Sequence, residues 1–289
     1  MEMFTFPLAR NCVPILYSDT IQSAQNFIQS GHGAHLIVLV HGYQGTTNDM
    51  RLIRNTIACL CPEALIFSSS ANEGQTDGDI ETMGARLAME LKDFISQHSN
   101  SFSIINRISF VGHSLGGLII RAAIPLLSDY QEKLHVYISL STPHLGISNK
   151  LIEGGVAFLR LFKKAELLEQ LTLKDSVYLH DSFLYRLSNI PSFNWFRRII
   201  LVGSWQDQYA PLSTASICPA ADDRNALTLA KNIRRNIGTD HVITVDVDFD
   251  IEDGSSLDSV IGRAAHIKFL ESPVLIQLLI LINEDMFEI

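Results

Sequence analysis

The chain has 289 residues, of which 47% are hydrophobic, and a formal net charge of −9. That length and hydrophobic content are enough for one large α/β domain with a substantial core. The negative charge argues against nucleic acid as a partner and against electrostatic docking on anionic lipid, because both are themselves negatively charged.

Helices and strands alternate in the first half of the chain. Apolar periodicity predicts helices at 19–29, from the capping segment 47–49 to 60, at 79–95 and at 115–127. Short apolar runs predict strands at 35–40, 64–68, 107–111 and 135–140. The first of these runs is almost entirely apolar, which is typical of a strand buried on both faces. This alternation predicts a mostly parallel central sheet with helices on both faces.

Residues 147–195 interrupt the alternation. Two helices are predicted there, at 153–173 and 178–187, and we expect them to form a helical, cap-like insertion. The alternative is that they pack as two helices of the core. Farther on, the pattern predicts a strand at 198–202, a helix at 222–235, an edge strand at 242–249 and a terminal helix from Pro273. We expect a single domain over residues 1–289.

One pentapeptide carries the chemistry, Gly112-His113-Ser114-Leu115-Gly116. It lies between a predicted strand and a predicted helix, and strand, Gly-x-Ser-x-Gly, helix is the nucleophile elbow of α/β-hydrolases. The turn is so tight that its serine is strained, and a side chain at either glycine is expected to collide with backbone. We therefore predict that Ser114 is a nucleophile and that His113 points elsewhere. The alternative is an ordinary glycine-rich connection between a strand and a helix, in which the serine has no catalytic role.

A serine hydroxyl needs a base, and in this fold an acid and then a histidine follow the nucleophile along the chain. Asp207 meets the first condition because it comes just after the strand that ends at Val202. Of the ten histidines, His266 follows both Asp207 and the last predicted strand, whereas His241 precedes that strand and belongs to the opposite edge of the sheet. The order predicts a triad of Ser114, Asp207 and His266.

The oxyanion of the tetrahedral intermediate needs hydrogen-bond donors. We expect the backbone N–H of Leu115 as one donor and that of Tyr43 as the other, with Gly42 allowing a close approach. His41 is expected to brace this turn. For the turn at 142–146, which contains His144, we expect a structural role near the site.

Five segments resemble one family: 39–42, 112–116, 141–146, 201–207 with Pro211, and 261–266. They are similar to the serine esterase domain called domain of unknown function 676, above all in the C-terminal domain of the proteins named family with sequence similarity 135. The likeness runs from about residue 35 to about 272, although those proteins are much longer. It implies an α/β-hydrolase fold, an esterase-like or lipase-like activity, and the same three triad residues.

The sequence thus predicts a serine hydrolase that cleaves carboxylic esters, most simply lipid-like ones. Two alternatives stay open: a catalytically weak binding or scaffolding module on the same fold, and acyl transfer to an acceptor other than water. Four cysteines with no Cys-x-x-Cys pair and an N-terminus without a signal-like run predict a cytoplasmic protein. We expect no cofactor and no metal site, and a small-molecule or lipid ester as partner. Substrate-binding residues, transient membrane contact and oligomeric state are left open.

Overall fold

A parallel six-stranded sheet forms the centre of the molecule in the computed structural model, with strand order β2-β1-β3-β4-β5-β6. The structure describes residues 33–98, 105–147, 165–237, 241–250 and 258–281. The strands are β1 Ala34–Val40, β2 Leu65–Ser68, β3 Ile105–His113, β4 Leu134–Leu140, β5 Arg198–Gly203 and β6 Val242–Asp246. The sheet is that of an α/β-hydrolase, as the sequence predicted, and β6 lies at an edge.

Helices cover both faces of this sheet, because alternate side chains of each strand point to opposite faces. In β1, Leu36 and Val38 belong to one buried cluster, while Ile37 and Leu39 belong to the other. The α-helices are α1 Arg51–Leu60, α2 Ile80–His98, α3 Leu115–Ala123, α4 Ala165–Leu171, α5 Phe183–Asn189, α6 Leu212–Ala215, α7 Arg224–Asn236, α8 Asp258–Glu271 and α9 Pro273–Leu281. Helices α2, α3 and α7 pack with the first cluster, and α1, α8 and α9 with the second.

Several helices begin or end at residues other than those predicted, for reasons of local chemistry. Helix α1 begins at Arg51 without a side-chain cap, because its N-cap residue is Met50, and the Asp49 carboxylate accepts from the backbone N–H of Thr46 at 2.7 Å. Helix α3 ends at Ala123, and the chain continues as the 3-10 helix Ile124–Lys133, which has proline in its first turn, as expected of Pro125. The helix predicted at 19–29 lies outside the described residues.

Of the interruption at 147–195, the structure describes Ile147 and the residues from 165 onward. Here α4 and α5 are joined by the 3-10 helix Leu179–Asp181, and Pro191–Trp195 forms another. Leu167 and Leu184 are buried in the same cluster as Leu36 and Val38 of β1. The predicted helix at 153–173 is thus seen in its last part, and a cap over the site stays a prediction.

The C-terminal helix α9 is strongly apolar, whereas α8 mixes charged and apolar residues. Among the described residues, no single helix is long and apolar enough to cross a bilayer. The segments Ala264–Glu271 and Pro273–Leu281 pass that test as a pair, by length and composition, with a bend of 60° between them.

Candidate active site

The carboxyl ends of the parallel strands meet at one edge of the sheet, where α/β folds place their ligand sites. Ser114 follows β3 at this edge, Ser141 follows β4, and the loop that contains Asp207 follows β5. The turn with Gly42 and Tyr43 follows β1. Residues that are far apart in the chain are thereby placed on neighbouring loops.

Ser114 occupies a strained turn, as predicted for an elbow. Its φ of 54° and ψ of −124° lie in a region that non-glycine residues rarely adopt, at a cost of about 1–3 kcal/mol. A Cβ on Gly116 would lie 2.3 Å from the carbonyl oxygen of Val40, and one on Gly112 would lie 2.6 Å from the backbone nitrogen of Gly117. Both glycines are therefore required by close backbone approach, and the predicted collisions are confirmed.

The Asp207 carboxylate is buried and held by donors on both oxygens. Its Oδ1 accepts the backbone N–H groups of Tyr209 at 2.7 Å and Ala210 at 3.2 Å. Its Oδ2 accepts from His266 Nδ1 at 2.7 Å and from the hydroxyl of Ser141. The orientation of this carboxylate is consequently set from the Asp207 loop itself, from α8 and from the end of β4.

His266 lies inside α8, a helix that the sequence analysis did not predict at this position. The helix approaches the Asp207 loop closely, since a Cβ on Gly262 would lie 2.6 Å from the side chain of Gln208. The imidazole stacks on the Tyr209 ring, with centroids 5.2 Å apart and planes 21° apart. Because Nδ1 bonds Asp207, the other ring nitrogen, Nε2, is directed away from the carboxylate.

His113 does not point elsewhere, and that prediction was wrong. Its ring packs against the His266 ring with centroids 4.8 Å apart, and its Nε2–H donates to the His266 carbonyl oxygen at 3.0 Å. Burial above all, and then the neighbouring His266, lower the pKa of His113 to about 3, so the ring is neutral near pH 7. A neutral histidine next to Ser114 thus anchors the backbone of His266 to the elbow.

The turn after β1 borders the nucleophile. A Cβ on Gly42 would lie 2.9 Å from the Ser114 Cβ, so only glycine allows this approach. The Tyr43 hydroxyl donates to Asp77 at 2.7 Å, which ties the turn to the loop after β2. As expected, His41 braces the turn, donating from Nδ1 to the Gly42 carbonyl at 3.0 Å. Leu115 is the first residue of α3, where backbone N–H groups have no acceptor within the helix.

The turn after β4 contributes a residue that sequence reasoning did not select, Ser141. Near it, Arg121 is buried and donates to the His144 carbonyl at 3.3 Å, with its guanidinium 5.0 Å from the centre of the Phe193 ring. Burial, and next the charge of Arg121, lower the pKa of His144 well below its ordinary value. His144 is therefore a neutral structural residue, in line with the expectation for its turn.

A cavity of about 430 Å³ opens beside the turns that follow β4 and precede α6. Its wall combines apolar and polar side chains, including Leu145, Ile147, Leu173, Pro211, Ser213, Thr214 and the first turn of α7. Leu145 belongs to the turn after β4 and Pro211 to the loop that carries Asp207, so the cavity adjoins both segments, although none of Ser114, Asp207 and His266 lines it.

Comparison with known proteins points in the same direction. A Saccharomyces cerevisiae protein described as "Putative lipase ROG1" is 29% identical over 203 residues, which cover 63% of this chain and 28% of that one. "Putative lipase YDL109C" from the same organism is 27% identical over 207 residues, covering 66% and 31%. The chain thus spans about three tenths of the length of these relatives.

Among solved structures, the lin2722 product of Listeria innocua superposes with a TM-score of 0.50 at 14% identity, over 86% of this chain and 92% of that one, which supports the fold. The family described as "Putative serine esterase (DUF676)" matches residues 30–220, about two thirds of the chain. With the elbow and the parallel sheet already in place, this match shows that the chain is a hydrolase-fold protein belonging to that serine esterase family.

Proposed function

We propose that this protein is a serine carboxylester hydrolase with Ser114 as nucleophile, His266 as general base and Asp207 as the orienting acid. The observation that carries the proposal is the buried bond of 2.7 Å between His266 Nδ1 and Asp207, together with the packing of the His266 ring against His113, the residue that precedes the strained elbow serine. That bond leaves Nε2 as the nitrogen to accept the serine proton. The family match and the relatives described as lipases support a hydrolase.

In the proposed reaction, Ser114 Oγ attacks the ester carbonyl carbon while His266 Nε2 takes the hydroxyl proton. The tetrahedral intermediate collapses, the alcohol leaves with the proton held by His266, and the acyl group stays on Ser114. Water then attacks the acyl-enzyme and gives its proton to His266. Release of the carboxylic acid returns the proton to Ser114, and Asp207 stabilises the imidazolium throughout.

The oxyanion would be bound by the backbone N–H groups of Leu115 and Tyr43. Leu115 opens α3 directly after the nucleophile, and the close approach at Gly42 brings the β1 turn to Ser114. The bond between Tyr43 and Asp77 keeps that turn in place. Preorganised donors of this kind each contribute about 2.7–4 kcal/mol to transition-state stabilisation.

We further propose a lipid-like ester as substrate, with the acyl chain in the cavity of about 430 Å³, a volume in the usual range for ligand sites. Leu145, Ile147 and Leu173 supply apolar wall to it. In this proposal residues 147–195 act as a cap, and the protein is cytoplasmic with transient contact to membranes when it takes up substrate. The sparse cysteines support that location.

One observation favours a second candidate, a binding module with weak turnover. Ser114 and His266 are each only 8% exposed, so little of either residue is accessible to a substrate in this conformation. The two candidates differ in a single property, whether Ser114 reacts.

The test is labelling with a fluorophosphonate probe, followed by esters of graded chain length. We expect the wild type to be labelled and to hydrolyse esters, and Ser114→Ala to do neither, with a loss of several orders of magnitude in kcat. The control is Ser109→Ala, which removes a buried serine in the middle of β3 and should react like the wild type. Equal hydrolysis by wild type and Ser114→Ala on every ester would refute the proposal, and a folded but unreactive wild type would favour the binding module.

A further inference from the structure

Ser141 reaches the triad from a strand that carries none of its members. It is fully buried at the end of β4, and its hydroxyl donates to Oδ2 of Asp207. That oxygen is the one that accepts from His266 Nδ1. Two donors, one from β4 and one from α8, therefore converge on a single carboxylate oxygen.

The other donors to this carboxylate are local. The N–H groups of Tyr209 and Ala210 belong to the loop that carries Asp207, so they move with it. They orient the carboxylate within its loop but do not fix it relative to the sheet. The hydroxyl of Ser141 comes from a different strand, 66 residues away, and supplies that fixed reference.

The backbone of Ser141 is itself held in one place. Its N–H donates to the Val202 carbonyl at 2.8 Å, which joins the ends of β4 and β5. Its φ of 52° lies in the left-handed region, a strain that persists only when the surroundings impose it. The following turn is secured by Thr214, whose hydroxyl accepts the Leu145 N–H at 2.9 Å and donates to the Gly146 carbonyl at 3.1 Å.

We propose that Ser141 is a positioning residue for ester hydrolysis, which fixes the Asp207 carboxylate so that it holds His266 in the tautomer and orientation needed to deprotonate Ser114. The proposal rests on the proposed function. Because the Ser141 hydroxyl donates to the same Asp207 oxygen that accepts from His266, it restrains rotation of the carboxylate. It also completes the hydrogen bonds of that carboxylate in a buried site, where each missing partner is costly. Ser141 itself does not touch the substrate.

The experiment compares Ser141→Ala and Ser141→Gly with the control Ser109→Ala. Ser109 is likewise a buried serine with hydrogen bonds, one shared with His35 Nε2 at 2.8 Å and one from the Val136 N–H at 3.2 Å, but it lies in the middle of β3, away from the edge of the sheet that holds the site. We expect both Ser141 variants to lose roughly tenfold to a hundredfold in kcat, the range of one hydrogen bond to a charged group, with KM little changed. The glycine variant should be more stable than the alanine variant, since glycine adopts positive φ without strain.

A second readout does not depend on activity. The proton on His266 Nδ1 gives a far-downfield proton NMR resonance while it is bonded to Asp207, and we expect this resonance to shift or broaden in both Ser141 variants but not in Ser109→Ala. Unchanged kcat and an unchanged resonance would overturn the proposal. So would unfolding of both Ser141 variants while Ser109→Ala stays folded, because Ser141 would then serve folding alone. If the wild type shows neither labelling nor turnover, the proposed function fails, and the resonance still decides whether Ser141 positions the Asp207–His266 pair.

Discussion

Gly116→Ala tests the elbow most directly, because the clash is with backbone. The added Cβ would lie 2.3 Å from the Val40 carbonyl oxygen and 2.7 Å from that of His41, where ordinary contact begins at 3.4 Å. The end of β1 or the start of α3 must therefore shift by about 1 Å. Overpacking of this kind costs about 1–3 kcal/mol, and a domain of this size loses about 2–4 °C in melting temperature per kcal/mol.

The same shift displaces Ser114, and a misplacement of about 1 Å costs roughly 100-fold in rate. We expect Gly116→Ala to unfold at lower urea concentration and to react with a fluorophosphonate about 100-fold more slowly than wild type. The control is Gly78→Ala, where nothing lies within 4 Å of the added Cβ, so stability should be unchanged or slightly higher. If Gly116→Ala matches Gly78→Ala in both stability and labelling rate, the close-approach argument for the elbow is wrong.

Three further outcomes follow from the site and the core. Asp207→Asn should keep the fold but lower kcat by about 10⁴, measured on the best ester, because it favours the wrong tautomer of His266. Burial lowers the pKa of His35 to about 3, against about 6.5 when unfolded, so the unfolded state binds the proton first and the free energy of unfolding falls by about 1.4 kcal/mol per pH unit from pH 6.5 toward 3. Urea unfolding at pH 7 and 5 should therefore show a smaller loss of stability for His35→Gln than for wild type. Ser213→Trp, which narrows the cavity, should shift the enzyme's preference toward esters with shorter acyl chains, whereas Ser96→Trp on the surface should not. If both variants hydrolyse esters of each chain length at the same relative rates, the cavity does not hold the acyl chain.

Much of the fold could be predicted because its strands are buried on both faces. A run such as 35–40, with hardly a polar residue, fits few structures other than the centre of a parallel sheet. The elbow could be predicted equally well, because two glycines at fixed spacing around Ser114 reflect steric constraints that act within five residues. Local constraints of this kind leave a local signature.

Contacts between residues that are far apart in the chain are harder to predict from the sequence. The packing of His113 against His266 depends on how α8 returns across the sheet, and no periodicity near residue 113 encodes it. The helical position of His266 was missed for a different reason, because charged and apolar residues are mixed along α8 without the apolar stripe from which a helix is predicted. For Ser141 a signal did exist: it directly follows the strand predicted at 135–140, at the edge of the sheet where Ser114 also lies.

Strand order explains why that signal deserved weight. In the strand order β2-β1-β3-β4-β5-β6, β4 lies between β3, which leads to Ser114, and β5, which leads to Asp207. A side chain that fixes the acid relative to the nucleophile therefore has its shortest route from the carboxyl end of β4. The residue at that end is Ser141, which bonds the Val202 carbonyl through its N–H and Asp207 through its hydroxyl. The topology alone thus favours a polar residue at this position in any parallel sheet that places nucleophile and acid one strand apart.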